Sequence, residues 1–440
     1  MTHPEGTPTW NCRRNCGIAV AMTAMTLALI GFALPAQAQT LTVLHNFGGP
    51  PPDGANPFSG LTMDAAGNLY GTTGNGGIGN GMVFELQRTK SGFIFRPLYS
   101  FEGGNDGAMP SARVTIGPNA SLYGTTVKGG GTQFPFGVGT VFNAQPPPSA
   151  CKAALCSWRE TILFPFNQGT GYGSYYSEVT FDSAGNLYGV TNYGGKYNHG
   201  EVYQLTPSNG GWSESIIYTF GEHDPSQPVG GVVFDQAGNL YGTTRFGGAG
   251  FGYGAVFQLT PSGQGWTENT LYEFQGGADQ GNPQTSLIID SSGNLYGTTP
   301  WFLYGNDDGG TVYEISPSGG GWTYTLLYDF PSAYEGAGWV SPVTMDKDGN
   351  LYGTTSYEGI TGGVCVYGCG TVFKLTPSAG GGWTYTDLYN FTGGADGAIP
   401  YSGVVLDSQG NLYGTTSIGG TGKNCNYGDE GCGVVWKLTP

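Results

Sequence analysis

The sequence is poor in charged residues and poorest in basic ones. Only 10% of its 440 residues are charged, and 15 Lys and Arg stand against 31 Asp and Glu. Nucleic acids and anionic membranes need a basic face on the protein that binds them, so the composition argues against both as partners. Apart from residues 17–34 we find no hydrophobic run long enough to cross a membrane, and we expect no span in the mature chain.

Motifs of common enzyme classes are also missing. The sequence has no G-x-S-x-G nucleophile motif. The string "GGTGKN" (419–424) resembles a phosphate-binding loop, but Ser417 replaces its first glycine and Asn424 replaces its hydroxyl residue. The histidines beyond residue 38 are scattered over different parts of the repeat: His45, His199 and His223. These features predict neither a nucleotide site nor a histidine-based catalytic site.

The first 38 residues differ from the rest of the chain. Arg13 and Arg14 precede the apolar run 17–34, and "AQA" (36–38) follows it. This is the pattern of a secretory signal peptide cut after Ala38, and the alternative is an uncleaved membrane anchor. Cleavage would remove two Arg and one Glu, which changes the net charge from −16 to −17. We expect an exported protein, periplasmic or extracellular.

Glycine and tyrosine are abundant, with 82 and 28 copies, and they recur in one motif. Five copies read D-x-x-G-N-L-Y-G-T-T: residues 64–73, 235–244, 290–299, 346–355 and 407–416. Two looser copies lie at 117–126 and 182–191. The motif tyrosines are 53 to 65 residues apart, a period that indicates a repeat fold.

Each repeat unit contains four short candidate strands with turn residues between them. A parallel β-helix would have a shorter repeat and a chain of sandwiches a larger one, so the unit is typical of a propeller blade. Seven motif copies predict an all-β, seven-bladed β-propeller over 39–440 as one monomeric domain. The fourth-strand pattern precedes the first motif, at 41–47, and does not follow "GVVWKLTP" (433–440). We therefore predict that the N-terminal strand completes the last blade, which removes two exposed sheet edges.

The pattern "GNLYGTT…GTVF-LTPSG-GWT-T-LY-F-GG-DG--P" resembles the GloVer tandem-repeat family of exported bacterial proteins. The likeness covers nearly all of residues 39–440, and "VVLDSQGNLY" is also loosely similar to NHL-type propeller repeats. Members of the family commonly carry a C-terminal sorting anchor, which the last residues here do not match. The resemblance implies a propeller architecture and export, and it implies no catalytic residues.

The repeated motif has a structural explanation. Leu412 would fill the layer between blades, Tyr413 would bury a ring with a partner for its hydroxyl, and Gly414 would allow a close approach. Asp407 would accept amide hydrogen bonds in its turn. The alternative is that the repeated Asp residues form a ring of cation ligands.

A second recurrent pattern, G-G-x-D-G-x-x-P, follows the fourth strand. Its carboxylates either cap turns or contribute to a Ca²⁺ or cationic-ligand site near one rim of the propeller. The candidate metal ligands are Asp53, Asp106, Asp279 and Asp396, with Asp224 as a divergent counterpart. No other cofactor is expected.

The loops that follow Y-G-T-T vary in length and carry aromatic residues. Variable loops on a fixed scaffold are where binding residues concentrate, although some of these rings would only pack on their own blades. The candidate ligand-binding residues are Trp301, Tyr304, Phe136, Tyr193, Phe251, Tyr357 and Tyr427.

Six cysteines follow residue 38 and form three close pairs: Cys151/Cys156, Cys365/Cys369 and Cys425/Cys432. In an exported chain, close pairs in Gly-rich loops indicate local disulfides. Zinc is the alternative, but it would require two-Cys clusters to meet across blades.

Taken together, these patterns predict an exported, non-catalytic binding or interaction module for a surface glycan or another exported protein. One alternative is a polysaccharide-active hydrolase or lyase with acidic residues at the channel mouth. Its best carboxylate pairs are Asp307/Asp308 and Asp429/Glu430. A second alternative is a structural protein of the cell envelope.

The cleavage prediction is tested by the mass of the exported protein. When the full chain is produced in a bacterial host, we expect the exported product to begin at Gln39. Replacing Ala36 and Ala38 by Leu should block cleavage and leave the uncut chain in the membrane fraction. An exported wild-type protein whose mass still includes residues 1–38 would contradict the prediction.

Overall fold

The computed structural model describes the chain from residue 39 onward with several gaps. The described residues are 39–48, 53–131, 138–147, 157–167, 171–173, 177–247, 252–263, 265–300, 309–331, 338–362, 364–423, 425 and 430–440. Within them the regular elements are β-strands, apart from two 3₁₀ turns at Pro118–Ala120 and Gly277–Asp279. Abundant Gly, Thr, Tyr and Val in short runs favour strands over helices.

Apart from one short two-stranded ribbon, the strands are grouped in seven antiparallel sheets, the blades. The chain opens with β1 (Thr40–Asn46). Blade 1 and its short ribbon contain β2 (Gly54–Ala55), β3 (Thr62–Met63), β4 (Leu69–Thr73), β5 (Asn75–Gly76), β6 (Met82–Thr89) and β7 (Gly92–Ser100). Blade 2 contains β8 (Ala108–Pro110), β9 (Thr115–Ile116), β10 (Leu122–Lys128), β11 (Thr140–Gln145) and β12 (Arg159–Pro165).

The middle blades repeat the arrangement. Blade 3 contains β13 (Thr180–Phe181), β14 (Leu187–Thr191), β15 (Glu201–Ser208) and β16 (Gly211–Thr219). Blade 4 contains β17 (Ser226–Phe234), β18 (Leu240–Phe246), β19 (Ala255–Ser262) and β20 (Gly265–Glu273). Blade 5 contains β21 (Ile288–Ile289), β22 (Leu295–Thr299), β23 (Thr311–Ser318) and β24 (Gly321–Asp329).

The last two blades complete the set. Blade 6 contains β25 (Thr344–Met345), β26 (Leu351–Thr355), β27 (Thr371–Pro377) and β28 (Trp383–Asn390). Blade 7 contains β29 (Val405–Leu406), β30 (Leu412–Thr416), β31 (Val434–Thr439) and the N-terminal strand β1. The predicted seven-bladed all-β propeller is confirmed.

The N-terminal strand closes the last blade, as predicted. β1 pairs antiparallel with β31 from Thr40↔Thr439 to Asn46↔Val434, with a bulge between Val43 and His45. Phe47, which follows β1, donates its amide hydrogen to the carbonyl of Gly433 at 3.1 Å. The first and last strands of the chain therefore share one sheet.

Because neighbouring strands in a blade are antiparallel, the propeller has two distinct faces. The turns after the innermost strands, which carry the D-x-x-G-N sequence, lie on one of them, here called the turn face. The connections after Y-G-T-T and those between blades lie on the opposite one, here called the loop face.

Each Y-G-T-T glycine makes room for an aromatic ring. Gly242 pairs with Phe257 across the ladder, and a Cβ on Gly242 would lie 2.6 Å from the Phe257 Cζ. The same glycine lies opposite a large ring in every blade: Phe84, Phe142, Tyr203, Phe257, Tyr313, Phe373 and Trp436. Only glycine leaves this space, which confirms the packing role predicted for Gly414.

The core lies between the blades. Seven clusters of buried side chains each join one blade to the next, including blade 7 to blade 1 through Tyr413, Val435 and Leu69. The motif leucines are fully buried there: Leu69, Leu122, Leu187, Leu240, Leu295, Leu351 and Leu412. A continuous ring of seven interfaces replaces a single central core.

Substitution of one motif glycine tests this packing. Gly242→Ala should lower the free energy of unfolding by about 1–3 kcal/mol because the added methyl group overlaps the buried Phe257 ring. Gly265→Ala in the same blade is the control, since a Cβ there meets no atom within 4 Å. Urea unfolding of both variants measures the difference, and equal stability of the two would refute the packing argument.

Candidate functional site

The motif aspartates cap the turns on the turn face. In blade 6, Asp346 Oδ1 accepts the amides of Asp348 and Asn350, both at 2.9 Å. Its Oδ2 accepts the Asn350 side-chain amide at 2.7 Å and the Tyr352 hydroxyl at 3.0 Å. The carboxylate thus binds four donors within one seven-residue stretch, a complete Asx-type cap.

The same cap occurs in six blades. In each, the Asp carboxylate accepts the hydroxyl of the motif tyrosine six residues later, at 2.9–3.2 Å. The capping residues are Asp64, Asp182, Asp235, Asp290, Asp346 and Asp407. Blade 2 has Gly117 at this position, and its turn is closed by the Gly117 amide on the Ser121 carbonyl at 2.9 Å. Each carboxylate serves its own turn, as the structural interpretation predicts.

The cap contacts shift the pKa of the aspartate carboxyl and that of the tyrosine hydroxyl, as Asp346 of blade 6 and Tyr413 of blade 7 illustrate. Burial opposes ionisation of Asp346, but the hydrogen bonds from Asn350, Asp348 and Tyr352 outweigh it and lower the carboxyl pKa below 3.8. Burial and the neighbouring Asp407 carboxylate raise the pKa of the Tyr413 hydroxyl to about 12. The carboxylate is therefore ionised and the phenol neutral at physiological pH, the charge states that the cap requires.

The loop-face aspartates make similar but separate caps. Asp279 Oδ2 accepts the Tyr272 hydroxyl and the Gln275 amide, both at 2.8 Å. Asp106 binds Tyr99 and the Glu102 amide, Asp396 binds Tyr389 and Thr392, and Asp224 binds Tyr218 and the Gly221 amide. Asp53 accepts the amides of Gly48 and Gly54 at 2.8 Å and contacts His45 at 3.1 Å.

The four carboxylates predicted as metal ligands lie in four different connections between blades. Within the described ranges, no group of three His, Cys, Asp or Glu side chains is arranged to hold a metal ion. The structure thus assigns these carboxylates to their own turns, and a cation on this face stays a prediction of the sequence.

Two of the predicted loop aromatics, Tyr193 and Tyr357, lie in the described part of the chain. Tyr193 stacks on Tyr172 with ring centroids 5.2 Å apart, and Tyr357 lies 5.9 Å from Tyr367. Both are half-buried; Tyr193 packs on the connection between blades 2 and 3, and Tyr357 packs within its own loop. The other predicted residues lie outside the described part of the chain: Phe136, Phe251, Trp301, Tyr304 and Tyr427, with Asp307, Asp308 and Asp429 of the carboxylate pairs.

Exposed apolar side chains concentrate in the loops of the same face. Nine large apolar residues of the described chain are exposed, and six of them lie in loops after Y-G-T-T. These six are Ile78, Tyr197, Tyr253, Ile360, Val366 and Tyr367. The other three are Ile94, Ile216 and Leu326, on outer strands. The six belong to the loops of four blades, and three of them share the loop of blade 6.

Disulfides brace two of these loops. Cys365 is bonded to Cys369 in blade 6, and Cys425 is bonded to Cys432 in blade 7. Both bonds agree with the predicted local pairing, while Cys151 and Cys156 lie outside the described residues. The first bond closes the loop that carries Val366 and Tyr367, 74% and 56% exposed. Val366, the most exposed of the nine, therefore belongs to a covalently restrained loop.

A cavity of about 500 Å³ occupies the centre of the ring. Residues from all seven blades line it, and most of its wall is small or aliphatic. Toward the loop face its lining includes Phe58, Trp339, Tyr401 and Gln284. Phe58 and Tyr401 come from neighbouring blades and have ring centroids 5.9 Å apart. The cavity is large enough for a small organic ligand and has an aromatic end.

One ion pair lies in the cavity wall. Arg113 Nη2 donates to Glu178 Oε2 at 2.8 Å, joining blades 2 and 3. The Glu178 carboxylate raises the pKa of the Arg113 guanidinium, so the arginine stays charged. Both side chains keep part of their surface open to the cavity, 42% for Arg113 and 19% for Glu178. The pair therefore presents both a donor and an acceptor to the central space.

Carboxyl groups with raised pKa lie elsewhere. Burial and Asp106 raise the pKa of Glu160 to about 8, and burial and Glu201 raise that of Glu214 to about 7. Burial and Asp387 on β28 raise the pKa of Glu358 to about 7. Glu160 and Glu214 belong to outer strands, and none of the three lines the cavity. They do not form the pair of carboxylates in a cleft that a glycosidase needs.

No motif in the sequence marks the residues that line the cavity. One position of the repeat lies four residues before the motif aspartate, or before Gly117 in blade 2. Five blades have a small or neutral residue there: Gly60, Gly231, Ser286, Pro342 and Gly403. Arg113 and Glu178 occupy this position in blades 2 and 3. A comparison of the seven repeats position by position would have shown two adjacent charged exceptions, but only the ring brings them into contact.

Fold and site together define a seven-bladed β-propeller built from tandem repeats, with a central cavity and a face of variable loops. Residues 30–175 and 174–427 match the Gloeobacter/Verrucomicrobia repeat. The chain belongs to this repeat family, which confirms the resemblance seen in its motifs. No curated protein matches the sequence.

Several solved structures are similar at low identity. A glucose dehydrogenase shares 13% identity with a TM-score of 0.47, covering 91% of this chain and 99% of its own. The extracellular domain of a proposed hybrid two-component system from B. thetaiotaomicron shares 14% identity with a TM-score of 0.46. That match covers 88% of this chain and 39% of the other.

In the described part of the chain, no helix is long and apolar enough to cross a membrane.

The turn caps predict a specific dependence of stability on pH. Because the pKa of Asp346 is lowered on folding, its contribution is complete above 3.8 and is lost as the pH falls through the folded-state value. Asp346→Asn should reduce the free energy of unfolding by about 1–3 kcal/mol at neutral pH, and less as the pH falls below 3.8.

Asp348→Asn is the matched control, since Asp348 is in the same turn and its side chain is 65% exposed. It removes one negative charge without removing the cap. Urea unfolding at neutral and acidic pH should leave this control close to the wild type. If both variants lose the same stability at every pH, net charge and not the cap explains the effect.

Proposed function

We propose that this protein is an exported, non-catalytic module that binds a surface glycan through its loop face. The observation that carries the proposal is the clustering of six exposed apolar side chains in the loops after Y-G-T-T. Three of them are tyrosines, Tyr197, Tyr253 and Tyr367. A tyrosine ring offers a flat apolar surface and a hydroxyl, which together suit the face and the hydroxyl groups of a sugar.

The contrast between the two faces supports a binding role. The turn face repeats one capping arrangement in six blades, whereas the loops of the opposite face differ in length and sequence. Variation on a constant scaffold is typical of binding loops. A purely structural protein would not require exposed tyrosines on one face only.

A polysaccharide-active enzyme is the second hypothesis. It would require two carboxylates in one cleft, one of them with a raised pKa. In the described residues the carboxyl groups with raised pKa belong to outer strands or pack against one, and the carboxylate in the cavity, Glu178, is paired with Arg113. Binding without turnover is therefore the better supported function.

The proposal is tested by glycan-array binding of residues 39–440, in calcium and in EDTA. Tyr367→Ser should weaken binding to the best glycan by roughly three- to tenfold, since one aromatic contact is worth about 0.5–1.5 kcal/mol. Ile94→Ser is the matched control, because Ile94 is 54% exposed and Tyr367 56%, but Ile94 lies on the outer strand β7. Loss of binding in EDTA would support the predicted cation.

Three outcomes would contradict the proposal. In the first, the protein binds no glycan and captures an exported protein instead. In the second, it releases reducing ends from a bound polysaccharide. In the third, Tyr367→Ser and Ile94→Ser lose binding equally. The first would favour a protein ligand, the second an enzyme, and the third a surface other than the loop face.

A further inference from the structure

The geometry points to the central cavity as a subsite for one pyranose unit of a neutral saccharide, held through vicinal hydroxyls by the Arg113–Glu178 pair. This inference rests on the proposed function and specifies where a single sugar ring would bind. It concerns a position distinct from the exposed loop tyrosines.

The lining of the cavity is arranged in two levels. Phe58, Gln284 and Tyr401 each lie two residues before the ring position occupied by Gly60, Ser286 and Gly403, and all six line the cavity. The chain bends at the residue between each of these pairs, at Ser59, Thr285 and Ser402. Because the innermost segment of each blade runs from the loop face to the turn face, the aromatic residues lie nearer the loop face than the Arg113–Glu178 pair.

The ion pair is an exception that the fold does not need. The corresponding position in the other five blades is Gly, Ser or Pro, and those blades have the same strands and the same buried leucines. Neighbouring blades are already joined by hydroxyl donors, such as Thr243 Oγ1 to the Thr285 carbonyl at 3.1 Å and Thr354 Oγ1 to the Ser402 carbonyl at 2.8 Å. An ion pair whose side chains stay partly exposed adds little stability, because solvent weakens its attraction and ordering the two side chains offsets the rest.

The chemistry of the lining favours a neutral polyhydroxylated ligand. A guanidinium donates hydrogen bonds and a carboxylate accepts them, so the pair can bind two adjacent hydroxyl groups, one as acceptor and one as donor. The pair carries no net charge, and the whole chain is acidic, which disfavours an anionic sugar. Trp339, Tyr401 and Phe58 supply apolar surface for the ring face, and Gln284 supplies an amide.

A double variant can give blades 2 and 3 the residue types that the other blades have at this position. Its effect on sugar binding can then be measured in a protein that still folds. Arg113→Ser combined with Glu178→Gly places at both positions the residue types found at Ser286 and Gly60, so the propeller should fold with a melting temperature close to the wild type. Tyr401→Leu is a second variant, which removes the aromatic ring and keeps apolar volume. Ile94→Ser on the outer strand is the control for both.

The probes are methyl glycosides of D-glucose, D-galactose and D-mannose, observed by saturation-transfer NMR with residues 39–440. We expect at least one to receive saturation from the wild type and from Ile94→Ser. The double variant should bind it at least about tenfold more weakly, as expected when two charge-assisted hydrogen bonds are lost. Tyr401→Leu should also weaken it.

The outcomes distinguish this inference from the proposed function. If none of the three glycosides receives saturation, or if the folded double variant binds as the wild type does, the cavity subsite is refuted. Glycan-array binding that depends on Tyr367 would in either case leave the proposed function standing. If the array shows no glycan binding at all, the proposed function fails, whatever the cavity does with single sugars.

Discussion

At each of the seven blade interfaces, a phenylalanine at the end of one outer strand lies edge-on against an aromatic ring in the next blade. The ring centroids are 5.1–5.7 Å apart in all seven pairs. Each pair exists only because a motif glycine faces the second ring and leaves it space. The remaining features of the propeller depend on this repeated contact, since it sets how closely neighbouring blades approach.

The aromatic contact also explains why the two faces differ. On the turn face, the Asp–Tyr cap holds the innermost strand and the Y-G-T-T strand together in six blades, and the motif glycine of the Y-G-T-T strand faces the ring on the third strand. On the loop face, neighbouring blades are joined by hydrogen bonds near the start of each blade, such as the Ile399 amide to the Cys369 carbonyl and the Asn192 side-chain amide to the Pro228 carbonyl, both at 2.8 Å. The rest of each loop is free to vary, and there the exposed tyrosines and the two described disulfides occur.

Ring closure creates the cavity as a consequence. Seven blades that pack through large rings keep their innermost strands apart, and small residues such as Gly60 and Gly403 leave the centre open. The cavity therefore needs no dedicated motif. Its chemical character comes from a few departures from the repeat, above all Arg113 and Glu178, and from the aromatic residues one level above them.

Much of the architecture could be read from the repeats because local sequence and local structure coincide in them. The Asp346 cap lies within seven consecutive residues, the glycine opposite Phe257 is in the adjacent strand, and Cys365 and Cys369 are four residues apart. The displaced fourth strand at 41–47 even predicted how β1 closes the ring. The loop residues were harder, because Tyr193 and Tyr357 look like surface aromatics in sequence, yet Tyr193 stacks on Tyr172 of the preceding connection and Tyr357 packs on Tyr367 of its own loop.

The sequence by itself determined the fold class, the number of blades, the closure and the role of the motif, since each depends on contacts between residues near in sequence or repeated at a constant period. Only the tertiary structure decided which residues meet at the centre. Arg113 and Glu178 are 65 residues apart and come within 2.8 Å, and Phe58 meets Tyr401 from the other end of the chain. A circular arrangement brings together residues whose proximity depends on the angle and distance between blades, and no local pattern encodes that geometry.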